Sequence, residues 1–136
     1  MWKSLDKYRE AGFIILRLGI GGMFILHGYG MLKMGSLGWE KIGGSLSYFG
    51  INFGHQFFGL LASLSEFLGG ICLILGLFFR PACCFLFITM VVATSFHFHH
   101  GDGLQGASHA LELGILFLSL IFIGPGQLSL DEKIKK

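Results

Sequence analysis

The segment FHFHHGDGLQGASHALEL, residues 96–113, gathers four of the chain's six histidines and follows them with a carboxylate, Glu112. Imidazole exchanges a proton near neutrality without help from its surroundings, and a carboxylate shielded from water titrates closer to that range. Histidine is also the commonest metal ligand, and His97 with His100, or His109 with Glu112, has the i, i+3 spacing that puts two ligands on one helix face. Proton handling and metal or haem ligation are therefore the chemistries to weigh. Three more ionisable groups lie inside apolar sequence: Arg17 and His27 in LRLGIGGMFILHGYG, and Glu66 in LASLSEFLGG.

The elements that must position these groups are long and oily. Hydrophobic residues make up 53% of the 136 and charged ones 13%, against roughly a quarter charged in ordinary soluble domains. Residues 11–32, 57–79 and 82–98 each approach the ~20 residues that carry a helix across ~30 Å of hydrocarbon, and 108–124 spans with little tilt. The chain thus reads as all-α, a four-helix transmembrane bundle forming one domain over 1–136. Its 22 glycines supply surfaces on which membrane helices approach closely. The first segment has no small-residue cleavage site and is interrupted by Arg17, so it reads as a retained helix. A net charge of +2 without a basic run offers nothing to nucleic acid. Cys72, Cys83 and Cys84 form no C-x-x-C and serve as small apolar filler.

Four crossings leave linkers at 33–56, 80–81 and 99–107 and a tail from 125. Lys3, Lys7, Arg9, Arg80, Lys133, Lys135 and Lys136 fall on one side, Lys33 and Lys41 on the other, which sets both termini in the cytoplasm. At 1.5 Å per residue His27 then lies ~6 Å below the outer face, Glu112 about 6–8 Å deep, with His109 one turn above it, and Glu66 about 13 Å deep. His97 reaches the same outer edge, and Lys33 ends the first helix there. Arg17 is the exception, ~9 Å from the inner face and roughly 6–8 Å along the axis from Glu66. It either pairs with Glu66 or snorkels to headgroups.

Glu66 has Ala62, Ser63, Gly69 and Gly70 as same-face neighbours, a packing face, so it should look inward while Leu60, Leu64 and Phe67 meet lipid. Glu112 shares a face with Ser108 and Ser119, which reads as an interior stripe. His55, His99 and His100 read as solvated loop residues. In the first outer linker Trp39, Ile42, Leu46 and Phe49 recur at helical spacing, so a short interfacial helix could cover the polar cluster. In the tail, Pro125 stops the last helix, and Ser129 with Glu132 fits a capping box.

Taken in order, Arg17 before GIGGMFILHGYGMLK, EFLGGICLILGLFFR from Glu66 to Arg80, Glu112 on the fourth helix and the closing GPGQLSLD resemble the DoxX family of small bacterial and archaeal membrane proteins. The resemblance implies a helical bundle in the cytoplasmic membrane, drawn into respiratory or sulfur redox systems. Name-giving relatives accompany a quinol oxidase and thiosulfate:quinone oxidoreductase activity.

Residues and resemblance converge on a redox-associated membrane protein that binds quinone or a similar lipophilic ligand in the outer half of the bundle. In that reading Arg17, His27, Lys33, Glu66, His97, His109 and Glu112 bind the ligand or relay protons. No C-x-x-C-H, cysteine cluster or flavin fingerprint is present, so electrons would come from a soluble or membrane redox partner, with the chain as a subunit of a quinone-linked oxidoreductase. Two alternatives stand beside it: a non-catalytic scaffold subunit of a respiratory or oxidative-stress complex, and metal or haem held by the outer histidines. Glycine-rich faces are also compatible with a homo-oligomer.

Overall fold

The computed structural model describes residues 2–136, and every regular element among them is helical. After a 3₁₀ segment, Trp2–Tyr8, come α1 (Arg9–Lys33), α2 (Gly35–Gly44) with a 3₁₀ extension Ser45–Phe49, α3 (His55–Leu75), α4 (Phe79–His99), α5 (Gly103–Ile123) and the five-residue α6 (Leu130–Ile134). Four of these, α1, α3, α4 and α5, are long and apolar enough to cross a membrane. Their outward surfaces carry Ile15, Leu26, Phe85, Ile88, Ile115 and Phe122, side chains at home in lipid tails. The molecule is an integral membrane protein.

Glycine decides how closely the helices pack. A Cβ on Gly21 would stand 2.7 Å from the Gly70 carbonyl, and one on Gly70 would stand 2.6 Å from that of Gly21, so α1 and α3 touch backbone to backbone. α3 packs on α4, with Gly69 under Leu86, and α4 packs on α5. α1 and α5 meet through an edge-to-face pair, Phe24 and Phe117, with ring centroids 5.1 Å apart. The core formed where these contacts converge is apolar and includes Leu73, Phe79, Cys83, Leu86 and Leu120.

Three boundaries differ from those read in the sequence. α3 stops at Leu75 rather than 79, and the turn to α4 is Gly76–Phe78 rather than Arg80-Pro81. Gly76 takes the left-handed conformation (φ 63°) that closes a helix, and Phe78 shares that region (φ 46°) despite its side chain. Pro81 sits inside the first turn of α4, where a helix N–H has no partner within the helix and a missing one costs nothing. α5 begins five residues before the expected 108, because Gly101 and Gly103 (φ 82° and 64°) make the turn from α4 tight.

Both termini lie at one end of the bundle: the Glu10 carboxylate accepts the N–H groups of Gln127 (2.7 Å) and Leu128 (3.3 Å). α2 and the histidine-rich turn lie at the other. There α2 presses on the start of α3, Gly43 against the His55 carbonyl and Gly59 against that of Trp39. The Trp39 indole N–H donates back to the Met31 carbonyl (3.2 Å), fastening the segment to α1.

Candidate functional site

His27 meets Glu66 because of the residue beside it. Gly28 lets the α1 backbone lie on that of Phe67, the neighbour of Glu66, and no side chain would fit between them. This brings His27 Nδ1 within 3.2 Å of Glu66 Oε2. The pair is asymmetric: the histidine side chain is 70% exposed and the carboxylate 7%. One proton lies between them in either charge state, on Nδ1 when Glu66 is ionised and on Oε2 when it is not.

On its other side Glu66 opens onto a cavity of about 570 Å³, within the ~300–1,000 Å³ of small-molecule sites. α3 and α4 form its walls, with Ala62, Ser65, Ile88, Thr89 and Val92; Ile42, Ser45 and Leu46 from α2 and its extension roof it, and Lys41 stands among the lining. The segment expected to cover the site does so. The Ser65 and Thr89 hydroxyls donate to their own helix, to the carbonyls of Leu61 (2.7 Å) and Leu86 (2.8 Å), which leaves their oxygens as acceptors. Through Leu61, Ser65 and Phe85 the cavity continues into an apolar groove of about 340 Å³ that follows α3 and α4 towards the end bearing the termini. Head and tail of an amphipathic ligand thus find different surroundings: a carboxyl and hydroxyl oxygens at one end, hydrocarbon along the rest.

Arg17 does not join this site. It is 5% exposed and its donors are taken by carbonyls: Nε by Leu73 (2.9 Å), Nη2 by Ile74 (2.8 Å), and Nη1 by Leu128 (2.8 Å) and Pro125 (3.3 Å). It therefore neither pairs with Glu66 nor snorkels to headgroups. A helix end leaves its last carbonyls without partners, and a buried guanidinium with a planar fork of donors satisfies several at once. Around it, Arg80 donates to the Ile121 carbonyl at the end of α5 (2.9 Å), while the Asp131 carboxylate accepts the Phe78 and Phe79 N–H groups at the start of α4 (both 2.9 Å). Cations sit on helix C-termini and an anion on an N-terminus, as the helix dipole favours. Ser129 accepts the Glu132 N–H (3.4 Å), completing half of the expected capping box. The GPGQLSLD segment is thus a clasp, and Gly76 belongs to it, since a Cβ there would stand 2.7 Å from Arg17 Nη2.

The remaining residues disperse. His97 Nδ1–H donates to Asp102 (2.8 Å) in the turn before α5. Lys33 holds its ammonium 5.2 Å from the centre of the Tyr29 ring. His99 stacks on Tyr48 with centroids 4.0 Å apart, which ties α4 to the roof, so it is not merely a solvated loop residue. His55 is likewise engaged, its Nε2 3.0 Å from the Ile51 carbonyl. His109 and Glu112 are exposed on α5. The inward stripe of that helix is Ala107, Ala110, Gly114, Phe117 and Leu120, not the serine-bearing face: Ser108 and Ser119 return their hydroxyls to the carbonyls of Gln105 and Ile115 on their own helix (2.9 Å each) and need no interior partner. On α3 the outward residues are Phe57, Leu61, Leu68 and Leu75, whereas Leu60, Leu64 and Phe67 are half-buried against neighbours. Lys41, Ser45, Ser65 and Thr89 at the cavity escaped sequence reasoning, since a lone hydroxyl in an apolar helix carries no signal of which way it faces. Among the described residues no three His, Cys, Asp or Glu side chains come together as a metal site would require.

The DoxX family model matches residues 12–100, from the first turns of α1 to the end of α4. An uncharacterized protein of Haemophilus influenzae is 34% identical over 139 residues, an alignment that spans 98% of both chains. No solved structure matches the chain significantly. With the family model over most of its length and a relative aligned end to end, the chain belongs to the DoxX family.

Proposed function

We propose that the protein binds a quinone or quinol in the roofed cavity between α3 and α4, with the ring beside Glu66 and the isoprenoid tail in the adjoining groove. The observation that carries this is a buried carboxyl, hydrogen-bonded to a histidine on one side and facing a mostly apolar cavity on the other. Quinone reduction consumes two protons along with two electrons. Glu66 is placed to hold a proton at the ligand, and His27, exposed and only six residues from the end of α1, to exchange it with the surface. The Ser65 and Thr89 oxygens suit the hydroxyl donors of a quinol. Electrons come from a partner protein, because the chain holds no C-x-x-C, C-x-x-C-H or flavin motif of its own. In this reading the protein is a redox-associated subunit of a bacterial or archaeal cytoplasmic membrane, its termini in the cytoplasm and its proton pair towards the outer face.

The test uses Trp39, which packs in the roof, as reporter. A Trp2→Phe protein in lipid nanodiscs retains only that indole, and a short-tailed quinone that enters the cavity quenches it saturably. Glu66→Gln is expected to weaken the quinone by about tenfold, because a carboxamide N–H is a poorer donor than a carboxyl O–H and gives up no proton, while thermal stability stays close to wild type. Saturable quenching that both Glu66→Gln and His27→Ala leave unchanged would overturn the assignment.

A further inference from the structure

α5 spans 21 residues, ~31 Å at 1.5 Å per residue, a length that matches the thickness of the hydrocarbon core. Glu112 is the tenth of them, some 13 Å from the start of the helix and close to the midplane, and His109 is one turn nearer the start. Both are exposed, on the face opposite the buried stripe of Ala107, Ala110, Gly114 and Phe117. The helix therefore turns an acid and a base outward, towards a bilayer interior in which such groups are costly, and neither has a hydrogen bond or ion pair among the described residues. Gln105 and Ser119 extend the same polar stripe, a turn or two to each side.

We infer that this face of α5 binds the same face of a second copy of the chain. Two molecules in one membrane are related by a two-fold axis along the bilayer normal, which brings equal depths of α5 together. His109 of each copy then stands one turn from Glu112 of the other, and the same acid–base contact forms twice. The stripe is self-complementary because it carries one acid and one base at i, i+3. An unrelated subunit would need its own matching pair at the same depth; a second copy supplies it by symmetry. Ser119, small and with its hydroxyl satisfied within its helix, allows close approach below the pair.

The experiment is dilution of fluorescently tagged full-length protein in phosphatidylcholine–phosphatidylglycerol vesicles, with donor and acceptor fused to the carboxyl terminus. Energy transfer in the wild type should persist as lipid is added and fall only at high dilution. Glu112→Leu removes both symmetry-related contacts and should shift that midpoint by about tenfold in protein-to-lipid ratio. Exchanging the two, His109→Glu with Glu112→His, should restore most of it, which a loss of folding would not allow. In a background without native cysteines, Ser119→Cys should cross-link on oxidation and Leu68→Cys on α3 should not. Wild-type protein that transfers no energy beyond random proximity, or equal cross-linking at both positions, overturns the inference; so does transfer indifferent to Glu112→Leu.

Discussion

Replacing Arg17 by methionine separates two roles that the same residue could play. Methionine keeps the length and apolar stem and removes every donor. Three of the four carbonyl contacts, those to Leu73, Ile74 and Leu128, are 2.8–2.9 Å long, and the fourth, to Pro125 at 3.3 Å, is weak. Hydrogen bonds to a charged donor contribute about 1.5–3 kcal/mol net. The lower figure applies here, since carbonyls at a helix end near the membrane face can recover water once the guanidinium is gone. Three such bonds give ~4–5 kcal/mol, enough to depress the apparent Tm by on the order of 10 °C or more. Arg17→Lys should fall between, because three donors on one ammonium cannot reproduce a planar fork aimed at four oxygens. The assay is thermal unfolding of purified protein in detergent, followed by helicity and by recovery on gel filtration, with quinone binding measured on the folded fraction. The clasp requires lost stability with binding intact in what remains folded. If Arg17→Met melts like wild type but binds quinone as poorly as Glu66→Gln, the guanidinium acts on the site and this account of it is wrong.

Other perturbations follow from the same geometry. Asp131→Ala removes the acceptor for the first N–H groups of α4 and should cost about 1–2 kcal/mol, as helix caps do, read as a lower melting temperature with no change in quinone affinity. Gly59→Leu places a side chain where the Trp39 carbonyl lies, so the roof should lift: Trp39 emission should shift to longer wavelength and quinone affinity should fall, while helix content holds. Ala62→Phe fills the cavity beside Glu66 and should abolish quenching of Trp39 by quinone without destabilising the bundle, since the added ring takes space that is already open. Unchanged binding in this last variant would place the ligand elsewhere.

Much of the fold was legible because a bilayer imposes simple demands. Length and apolarity alone mark four spans, and period-3.6 aromatic and aliphatic positions mark α2 within the first long linker. The meeting of His27 with Glu66 was not read from the sequence, which set both groups in the outer half of the bundle and offered Arg17 as the partner of Glu66, although a signal was there. Each lies beside small residues, Gly28 on one helix and Ala62, Ser63, Gly69 and Gly70 on the other, and small faces on two neighbouring membrane helices tend to meet. The break at Gly76–Phe78 was hidden because its cause, the Asp131 carboxylate, comes more than 50 residues later. FFRPACC is apolar enough to continue a helix on either side of the turn, so nothing local marks the boundary.

The misplaced residues share a cause of a different kind. Arg17 was matched by depth to Glu66, with headgroups as the alternative, and Glu112 was read as interior because it shares a helix face with Ser108 and Ser119. But serine in a membrane helix is satisfied by the carbonyl three or four residues back, as Ser63, Ser65, Ser108 and Ser119 all are. It therefore says nothing about facing. Arginine, in turn, is satisfied as well by carbonyls as by carboxylates, and four membrane helices with their ends close together offer many carbonyls with no other partner. A lone cation two or three turns from one face of a bilayer is thus to be weighed first against helix C-termini at its own depth. On that accounting Arg17 belongs with Leu73 and Ile74, the last turn of α3, before any acid deeper in the bundle. Glu66 is then left with His27 alone, and this separation of a structural cation from the acid–histidine pair leaves the carboxyl facing the cavity.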